Sequence, residues 1–576
     1  MTRVVKGRLL LGVALFFSIL IYARTLRFDF VYDDWNQIVR NPHLESATFI
    51  PVYFKADVWS QFHTAGQGRY YRPIFLLWLF LNRTMFGLAP AGWHATSLLL
   101  ELVAISLFYT VCTKLLKDPL GGGIAAVLFA VHPANLESVA WVSCSSELLM
   151  GILLLLAFLL YLRFRAGGGS VNLAVSALSF AVALGCKETS VAFLLILMWH
   201  EWCCPPGASE LEKINTGSQM RTSPVVRLAP YFFVALLYFA VRTAVLGGHT
   251  LGEKHEITFA VAVMTMPSAM LFYLRDLFFP VGLSVFYDLP YAQTMFSAKV
   301  ALALVVVISV AGLLWLIARR LPNGRVALGW IFLPLLPPLA GLRVFTHGDL
   351  VHDRYLYLCT MGLAMLVADL AINVTENGWD RRVRQVLPFV AAGAFLWLSI
   401  AQLGYWKNNL ALYQRGIQIS PRSIFALDTL ANERFRHNDL AGAVNAYERS
   451  LAVDPSSWMT NMALGITLTG GHEDGQAIPY YVRAISIDPE SIDPYMMLAR
   501  AQERQSRYTD AEQTVVRGLA VANNMPELHF ELGALLERRG DFAGARAQYE
   551  RTLALNPGQR DAVSRLSALA QLKPAS

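Results

Sequence analysis

Apolar residues fill most of the chain from residue 8 to about residue 405, in runs separated by short polar segments. A helix needs about 20 mostly apolar residues to cross a bilayer. The pattern predicts about eleven membrane-spanning helices, near 8–22, 93–113, 122–141, 147–162, 171–186, 189–203, 228–247, 297–318, 326–342, 355–373 and 386–405. Several of these runs are short, so the pattern does not define where individual spans end.

Two further apolar runs, 73–82 and 261–280, are predicted to lie on the membrane surface. The first is too short to cross, and the second contains Arg275 and Asp276, which would be costly at mid-bilayer. With eleven spans, the basic clusters then share the cytoplasmic side, as the positive-inside rule requires. These clusters are Arg3/Lys6/Arg8, Lys114/Lys117, Arg163/Arg165, Lys213/Arg221/Arg227, Arg319/Arg320/Arg325 and Arg381/Arg382/Arg384.

The polar tail of the chain repeats with a period of 34 residues from about residue 409. Alanines recur at 443, 477, 511 and 545, and prolines at 421, 455, 489 and 557, with Asn523 as the exception. This spacing is typical of tetratricopeptide repeats, each a helix–turn–helix unit. We predict about four repeats at 409–576, which form a solenoid that binds a peptide or protein. The alternative is a rigid spacer or an oligomerisation surface without a ligand. An odd number of spans places this tail on the non-cytoplasmic side.

Composition agrees with a membrane protein, since 55% of the 576 residues are hydrophobic and only 15% are charged. Soluble domains usually have about 25% charged residues. The net charge of +7 lies largely in the clusters that flank apolar runs, which indicates membrane orientation and not nucleic-acid binding. The six cysteines form no CxxC pair, so they predict neither a disulfide framework nor a structural zinc site.

Two adjacent carboxylates, Asp33 and Asp34, follow the first span by about ten residues. Neighbouring carboxylates repel each other, so one of them can have the raised pKa that a general base needs. The alternative is a solvated loop pair or a helix cap. No third ligand is spaced to hold a metal with them, so a divalent metal is possible but no cofactor is firmly implied.

The eleven-span count places several other polar groups on the face that carries the acid pair. Arg354 can bind a lipid phosphate through its two-pronged guanidinium or extend to the headgroups. Lys187 can face a phosphate or pair with its neighbour Glu188. His132 is best explained as a hydrogen-bonded histidine at a helix end. We expect Arg72, His132, Glu137 and Glu188 to support this site.

Five short stretches, followed by the repeats, resemble the transmembrane-and-tetratricopeptide O-mannosyltransferase family and its bacterial relatives. In chain order these stretches are Tyr32-Asp33-Asp34 through Asn41-Pro42, Tyr71-Arg72-Pro73, His132-Pro133 through Trp141, Cys186-Lys187-Glu188, and Asp353-Arg354-Tyr355-Leu356-Tyr357. The resemblance implies an all-α protein with a GT-C glycosyltransferase bundle at residues 1–408, including membrane-surface helices. The repeats would follow at 409–576.

The resemblance also implies a reaction, in which a sugar carried on polyprenyl or dolichyl phosphate passes to a Ser or Thr hydroxyl of a polypeptide held by the repeats. Mannose is the expected sugar. By motif match, Asp33 or Asp34 is the base, with Asp33 preferred, and Lys187 and Arg354 bind the lipid phosphate. The alternatives are a non-catalytic membrane scaffold and a transferase with a non-protein envelope acceptor. Bacterial inner membrane and ER membrane both fit.

Overall fold

The computed structural model describes residues 2–62, 70–205, 223–247, 257–294, 297–343, 350–373 and 379–571. Within these residues the protein is helical and contains no β-strand, which confirms the predicted all-α class. The chain forms two compact units, Met1–Ile419 and Ser420–Ser576. The first is the apolar part of the sequence, and the second contains the repeats.

Seventeen α-helices of the described residues belong to the first unit. They are α1 (Arg3–Tyr22), α2 (Ile50–Tyr53), α3 (Pro73–Phe86), α4 (Pro90–Leu116), α5 (Pro119–Ala130), α6 (Leu136–Ala140), α7 (Ser145–Arg165), α8 (Ser170–Cys186), α9 (Ala192–Cys203), α10 (Pro224–Val245), α11 (Phe259–Phe278), α12 (Ala298–Ala318), α13 (Gly324–Phe332), α14 (Leu336–Ala340), α15 (Tyr357–Ile372), α16 (Trp379–Leu403) and α17 (Asn409–Ile419). Proline starts α3, α4, α5 and α10, where its missing N–H costs no helical hydrogen bond.

Nine helical segments of the described residues are long and apolar enough to cross a membrane, or ten if the bent pair Pro119–Ala130 and Pro133–Ala140 is one span. This supports a multi-pass membrane protein, but it differs from the predicted eleven spans. The predicted spans 171–186 and 189–203 correspond to α8 and α9, which have only 17 and 12 residues.

Helix α11 also differs from its prediction, because it meets the length and composition criteria for a span although the sequence placed 261–280 on the membrane surface. The helix ends at Phe278, so its two charged residues lie in its last turn and not at its middle. There Arg275 donates to both carboxylate oxygens of Asp276, at 2.7 and 3.0 Å. Pairing at a helix end removes the mid-bilayer penalty on which the prediction depended.

Small residues let helices of the first unit pack closely. Gly362 of α15 lies against the backbone of α13, and a Cβ at this position would lie only 2.6 Å from the Ile331 nitrogen and 2.7 Å from the Trp330 carbonyl carbon. Such close backbone approach is a common way to pack helices in membranes. Helix α15 in turn positions the residues immediately before it, Asp353–Leu356, at one end of the bundle.

The second unit consists of helix pairs with the predicted spacing. They are α18 (Ile424–Arg436), α19 (Leu440–Val453), α20 (Trp458–Gly470), α21 (Asp474–Ile487), α22 (Asp493–Arg504), α23 (Tyr508–Val521), α24 (Pro526–Arg539), α25 (Phe542–Leu555) and α26 (Arg560–Gln571). The repeated alanines at 443, 477, 511 and 545 are fully buried, as expected where two helices approach closely.

The compact units divide after Ile419, whereas the sequence placed the start of the repeat domain at 409. The reason is that α17 packs on the first unit. The Asn409 side chain accepts a hydrogen bond from the Tyr32 nitrogen at 2.8 Å, and Arg415 Nε donates to the Leu283 carbonyl at 3.0 Å. The first tyrosine of the repeat spacing, Tyr413, therefore lies on a helix of the first unit.

Candidate active site

Asp34 is completely buried, and its carboxylate has defined partners. One oxygen accepts from the Ser143 nitrogen at 2.8 Å and from the Ser143 hydroxyl, and the other accepts from the Val31 nitrogen at 3.0 Å. Burial raises the pKa of Asp34 to about 6, although these hydrogen bonds favour the charged form. Asp34 thus joins the segment after the first span to the segment before α7.

Asp33 has a different environment from its neighbour. Asp33 is partly exposed. Its backbone carbonyl accepts hydrogen bonds from the Asn36 and Gln37 nitrogens, at 3.0 and 2.7 Å, at the start of a short π-helical turn. A base must come within hydrogen-bond reach of its substrate. Of the two carboxylates, Asp33 meets that requirement better, so the preference for Asp33 stays a prediction with a structural reason behind it.

Tyr32, immediately before the pair, has a left-handed backbone with φ of 52°. A bulky residue adopts this conformation only when its surroundings impose it, and such strain concentrates at functional sites. Its nitrogen donates to Asn409, and its ring lies 5.4 Å from the Trp141 ring and 5.6 Å from the Phe286 ring. Three separate segments therefore fix the direction in which the chain enters Asp33.

Arg354 is held by Glu137. Its Nη1 donates to one carboxylate oxygen at 2.6 Å, and its backbone nitrogen donates to the other at 3.1 Å. Its guanidinium carbon also lies 5.3 Å from the Trp141 ring centre and 5.4 Å from that of Tyr355. Glu137 therefore positions Arg354, and its supporting role in the site stays a prediction.

Lys187 is buried and forms an ion pair with Glu147 in the first turn of α7. Its Nζ lies 5.1 Å from the centre of the Tyr355 ring, on which Arg354 also packs. The expected alternative of a Lys187–Glu188 pair is wrong, because Glu147 takes the lysine. Lys187 has an extended backbone between α8 and the 3₁₀ turn that begins at Glu188, so the side chains of the two neighbours reach different partners.

Glu188 instead receives both prongs of Arg72, at 2.8 and 2.6 Å. Burial alone would raise the pKa of Glu188, but the adjacent Arg72 outweighs it and lowers the pKa to about 2. The guanidinium carbon of Arg72 lies 4.7 Å from the Tyr70 ring centre. The pair fixes the start of α3 to the α8–α9 connection.

His132 has a structural role, as its position at a helix end predicted. Its Nδ1 accepts from the Ala134 nitrogen at 3.2 Å, and its Nε2 lies 3.0 Å from the Leu277 carbonyl, to which it therefore donates. The ring packs on Phe395 at 4.6 Å. His132 stabilises the bend between α5 and α6, which carries Glu137.

Trp141 and Ser143 connect two parts of the predicted site, the segment that contains Asp34 and the guanidinium of Arg354. Ser143 binds Asp34, while the Trp141 ring contacts both Tyr32 and Arg354. Sequence reasoning gave neither residue a role, nor did it assign one to Tyr355. The sequence clue to Trp141 was that it ends the stretch that begins with His132-Pro133. No rule of spacing, however, identifies a residue that contacts two segments distant in the sequence.

Among the described residues, no group of three or more His, Cys, Asp or Glu side chains is arranged to hold a metal ion. His352 is buried, with its ring 5.7 Å from that of Tyr355. The arrangement offers a carboxylate and a group of cations, each held by a glutamate.

Comparison with known proteins gives matches to both units. A tetratricopeptide repeat family model matches residues 429–492 and 496–560. Protein O-mannosyl-transferase TMTC3 from Homo sapiens is 22% identical, covering 94% of this chain and 63% of its own length. Protein O-mannosyl-transferase TMTC1 from Homo sapiens is 27% identical, covering 70% of this chain and 51% of its own length.

A crystal structure of MamA protein has 21% identity and a TM-score of 0.25, and the match covers 26% of this chain and 81% of MamA. That TM-score is too low to support any statement about the overall fold. The chain spans about 63% of the length of TMTC3, the relative matched over most of this chain. Over most of its length the homologues of this chain are TMTC protein O-mannosyl-transferases, and its last part consists of tetratricopeptide repeats, so the chain is related to that family.

Proposed function

We propose that this membrane protein is a glycosyltransferase that moves mannose from a polyprenyl-phosphate donor to Ser or Thr hydroxyls of a polypeptide. The names of its relatives support the class of reaction. The observation that carries the proposal is the position of Trp141, which contacts both the segment that leads into Asp33 and the guanidinium of Arg354. A base and a phosphate-binding cation in adjacent segments suit a transfer from a sugar phosphate.

In the proposed reaction the acceptor hydroxyl gives its proton to Asp33 while its oxygen bonds to C1 of the sugar. The bond between C1 and the phosphate oxygen breaks, and its electron pair leaves with the lipid phosphate. The negative charge that develops there is stabilised by Arg354 and Lys187, which their glutamates hold in place before substrate arrives. Attack opposite the leaving phosphate inverts the anomeric centre. In this proposal the site and the repeats lie on the non-cytoplasmic side.

The remaining residues have positioning roles in this scheme. Asp34 fixes the loop that carries the base, and the Arg72–Glu188 pair and His132 fix the neighbouring segments. The repeats would supply the acceptor polypeptide, since superhelical repeat surfaces commonly bind peptides. A pre-arranged site of this kind lowers the barrier because few groups have to reorganise during the reaction.

The test uses full-length protein in lipid nanodiscs, radiolabelled polyprenyl-phosphate mannose and a pool of peptides containing Ser and Thr. We expect Asp33→Asn to lower kcat by about 100-fold or more, the usual contribution of a general base. Asp29→Asn is the matched control, because Asp29 is an exposed carboxylate in the same segment. It should keep the wild-type rate.

Each outcome decides a separate part of the proposal. If wild-type protein labels no peptide while a lipid or polysaccharide fraction is labelled, the acceptor is wrong. If nothing is labelled and deletion of the repeats abolishes the cellular function, the protein is a scaffold and no transferase. If Asp33→Asn retains full activity, Asp33 is not the base.

A further inference from the structure

A small cavity of about 10 Å³, enough for about one water molecule, adjoins the candidate active site within the first unit. Its wall is formed largely by apolar side chains, including Leu136, Leu283 and Leu412, and its charged lining residues are Glu137, Asp353 and Arg415. Glu137 is the residue that holds Arg354. The cavity is therefore separated from Arg354, the proposed phosphate-binding cation, only by Glu137. The proposed reaction gives this cavity no role.

Arg415 differs from the other cations of this region. Arg72, Lys187 and Arg354 each pair with a glutamate. Arg415 donates its Nε to the Leu283 carbonyl at 3.0 Å and packs 4.3 Å from the Tyr405 ring centre. Its two terminal amino groups have no hydrogen bond or ion pair with any of the described residues. An arginine held by its Nε and its stacked face presents these groups as a fixed fork, which matches a carboxylate or a phosphate.

The helix that carries Arg415 also holds the loop that carries the base. Asn409, the first residue of α17, accepts from the Tyr32 nitrogen, and Tyr413 packs 5.9 Å from Phe286, whose ring contacts Tyr32. Arg415 follows Asn409 by six positions in the helix, a rise of about 9 Å along the axis. An extended peptide covers about 3.4 Å per residue, so this distance corresponds to about three peptide residues.

We propose that Arg415 binds the carboxylate of an acidic side chain on the acceptor polypeptide, within about three residues of the hydroxyl that receives the sugar. This inference rests on the proposed function and adds a specificity residue to it. The same guanidinium group could instead bind the phosphate of the donor. The donor phosphate is a diester with a single negative charge, like a carboxylate, so charge alone does not separate the two ligands. The lipid phosphate has cations of its own in the proposed scheme, Arg354 and Lys187, which leaves Arg415 for the acceptor.

The experiment compares three acceptor peptides that differ at one position near the target Ser or Thr and carry Glu, Gln or Lys there. Wild-type protein should favour the Glu peptide over the Gln peptide by about tenfold in kcat/KM, the effect of one charge-assisted hydrogen bond. Arg415→Gln should abolish that preference without changing the KM for the donor. Arg415→Glu should invert it and favour the Lys peptide. Gln414→Ala, on the exposed face of the same helix, should leave all three rates unchanged.

The possible outcomes are distinct from those for the proposed function. If wild-type protein labels the Glu and Gln peptides equally well, this inference is wrong although the transferase activity stands. A rise in the donor KM of Arg415→Gln, with an unaltered peptide preference, would assign Arg415 to the phosphate and overturn it as well. If Arg415→Gln does not fold, the wild-type comparison of peptides and the charge-retaining Arg415→Lys variant still decide the question. If no peptide is labelled at all, the proposed function itself fails.

Discussion

Glu137 binds Arg354 through both of its oxygens, one on the guanidinium at 2.6 Å and one on the backbone nitrogen at 3.1 Å. The carboxylate therefore fixes the position of the residue as well as the direction of its side chain. Glu137 is almost completely buried and lies in the short helix α6, which His132 anchors. The arginine is thus positioned by a segment more than two hundred residues away in the sequence.

Glu137→Gln should impair the same step as loss of Arg354. The amide group presents N–H donors to an arginine that can only donate, so the guanidinium loses its fixed position. We expect a higher donor KM and a lower kcat for Glu137→Gln, with the acceptor KM unchanged. The double variant with Arg354→Gln should be no worse than Arg354→Gln alone, because both changes remove one interaction. Additive losses would show that Glu137 acts independently of Arg354.

The buried Asp34 should make stability depend on pH in the acidic range. Its pKa is raised from 3.8 to about 6 in the folded protein, so the folded state binds the proton more tightly than the unfolded chain. The resulting stabilisation is complete below pH 3.8 and declines by about 3 kcal/mol as the pH rises through 6. Thermal unfolding in detergent between pH 4 and 7 measures it.

Asp34→Asn should remove this pH dependence, since an amide does not titrate. Ser143→Ala should extend it to higher pH, because it deletes a hydrogen bond that favours the charged carboxylate. The exposed Asp29→Asn serves as the control and should retain the wild-type profile. Identical profiles for wild-type protein and Asp34→Asn would contradict the assignment.

The Arg72–Glu188 pair should be strongly coupled. Both side chains are partly exposed, so removing either partner leaves a half-buried charge without its counter-ion, at a cost of about 1.5–3 kcal/mol. Arg72→Met and Glu188→Leu should each lower the melting temperature, and the double variant should be more stable than the sum of the two losses predicts. The exposed pair Arg507–Asp510 at 2.7 Å is the control and should couple by less than about 1 kcal/mol. Equal coupling in both pairs would show that burial at Glu188 is unimportant.

Glycine substitutions should report the close packing of α15 against α13. Gly362→Ala places a Cβ less than 3 Å from rigid backbone atoms of Trp330 and Ile331, so the helices must separate. We expect a loss of about 1–3 kcal/mol, typical of overpacking. At Gly312 in α12 an added Cβ meets no atom within 4 Å, and Gly312→Ala should be neutral or slightly stabilising. Unfolding temperatures of the two variants in the same detergent provide the comparison.

The 34-residue period of the sequence predicted the architecture of the repeats well, because the period is visible within that one segment of the chain. The alanines at 443 and 477 fall at the spacing of the repeats, and burial in the structure confirms it. Span ends were harder to predict, because hydropathy does not show where a helix stops. The helix that contains Arg275 and Asp276 illustrates the limit, since the charges pair with each other in its last turn.

For the candidate site, the sequence predicted which residues could take part in chemistry but not which of them pair. It placed Lys187 beside Glu188 in the chain, yet the lysine pairs with Glu147 and the glutamate with Arg72. Pairing depends on how helix ends meet in space, which no local pattern encodes. Trp141 was missed for the same reason, because its role comes from contacts with two segments that are distant in the sequence.

Helix α17 has a consequence for how proteins of this architecture can diversify. It ends at Ile419, and the repeats begin immediately afterwards. Since Asn409 and Arg415 remain with the membrane unit, a recombination point after Ile419 can exchange or lengthen the repeat array without touching the loop that carries Asp33. A junction at residue 408 would remove both contacts. The end of α17 is therefore a boundary after which the repeat array can change in evolution while the candidate active site stays the same.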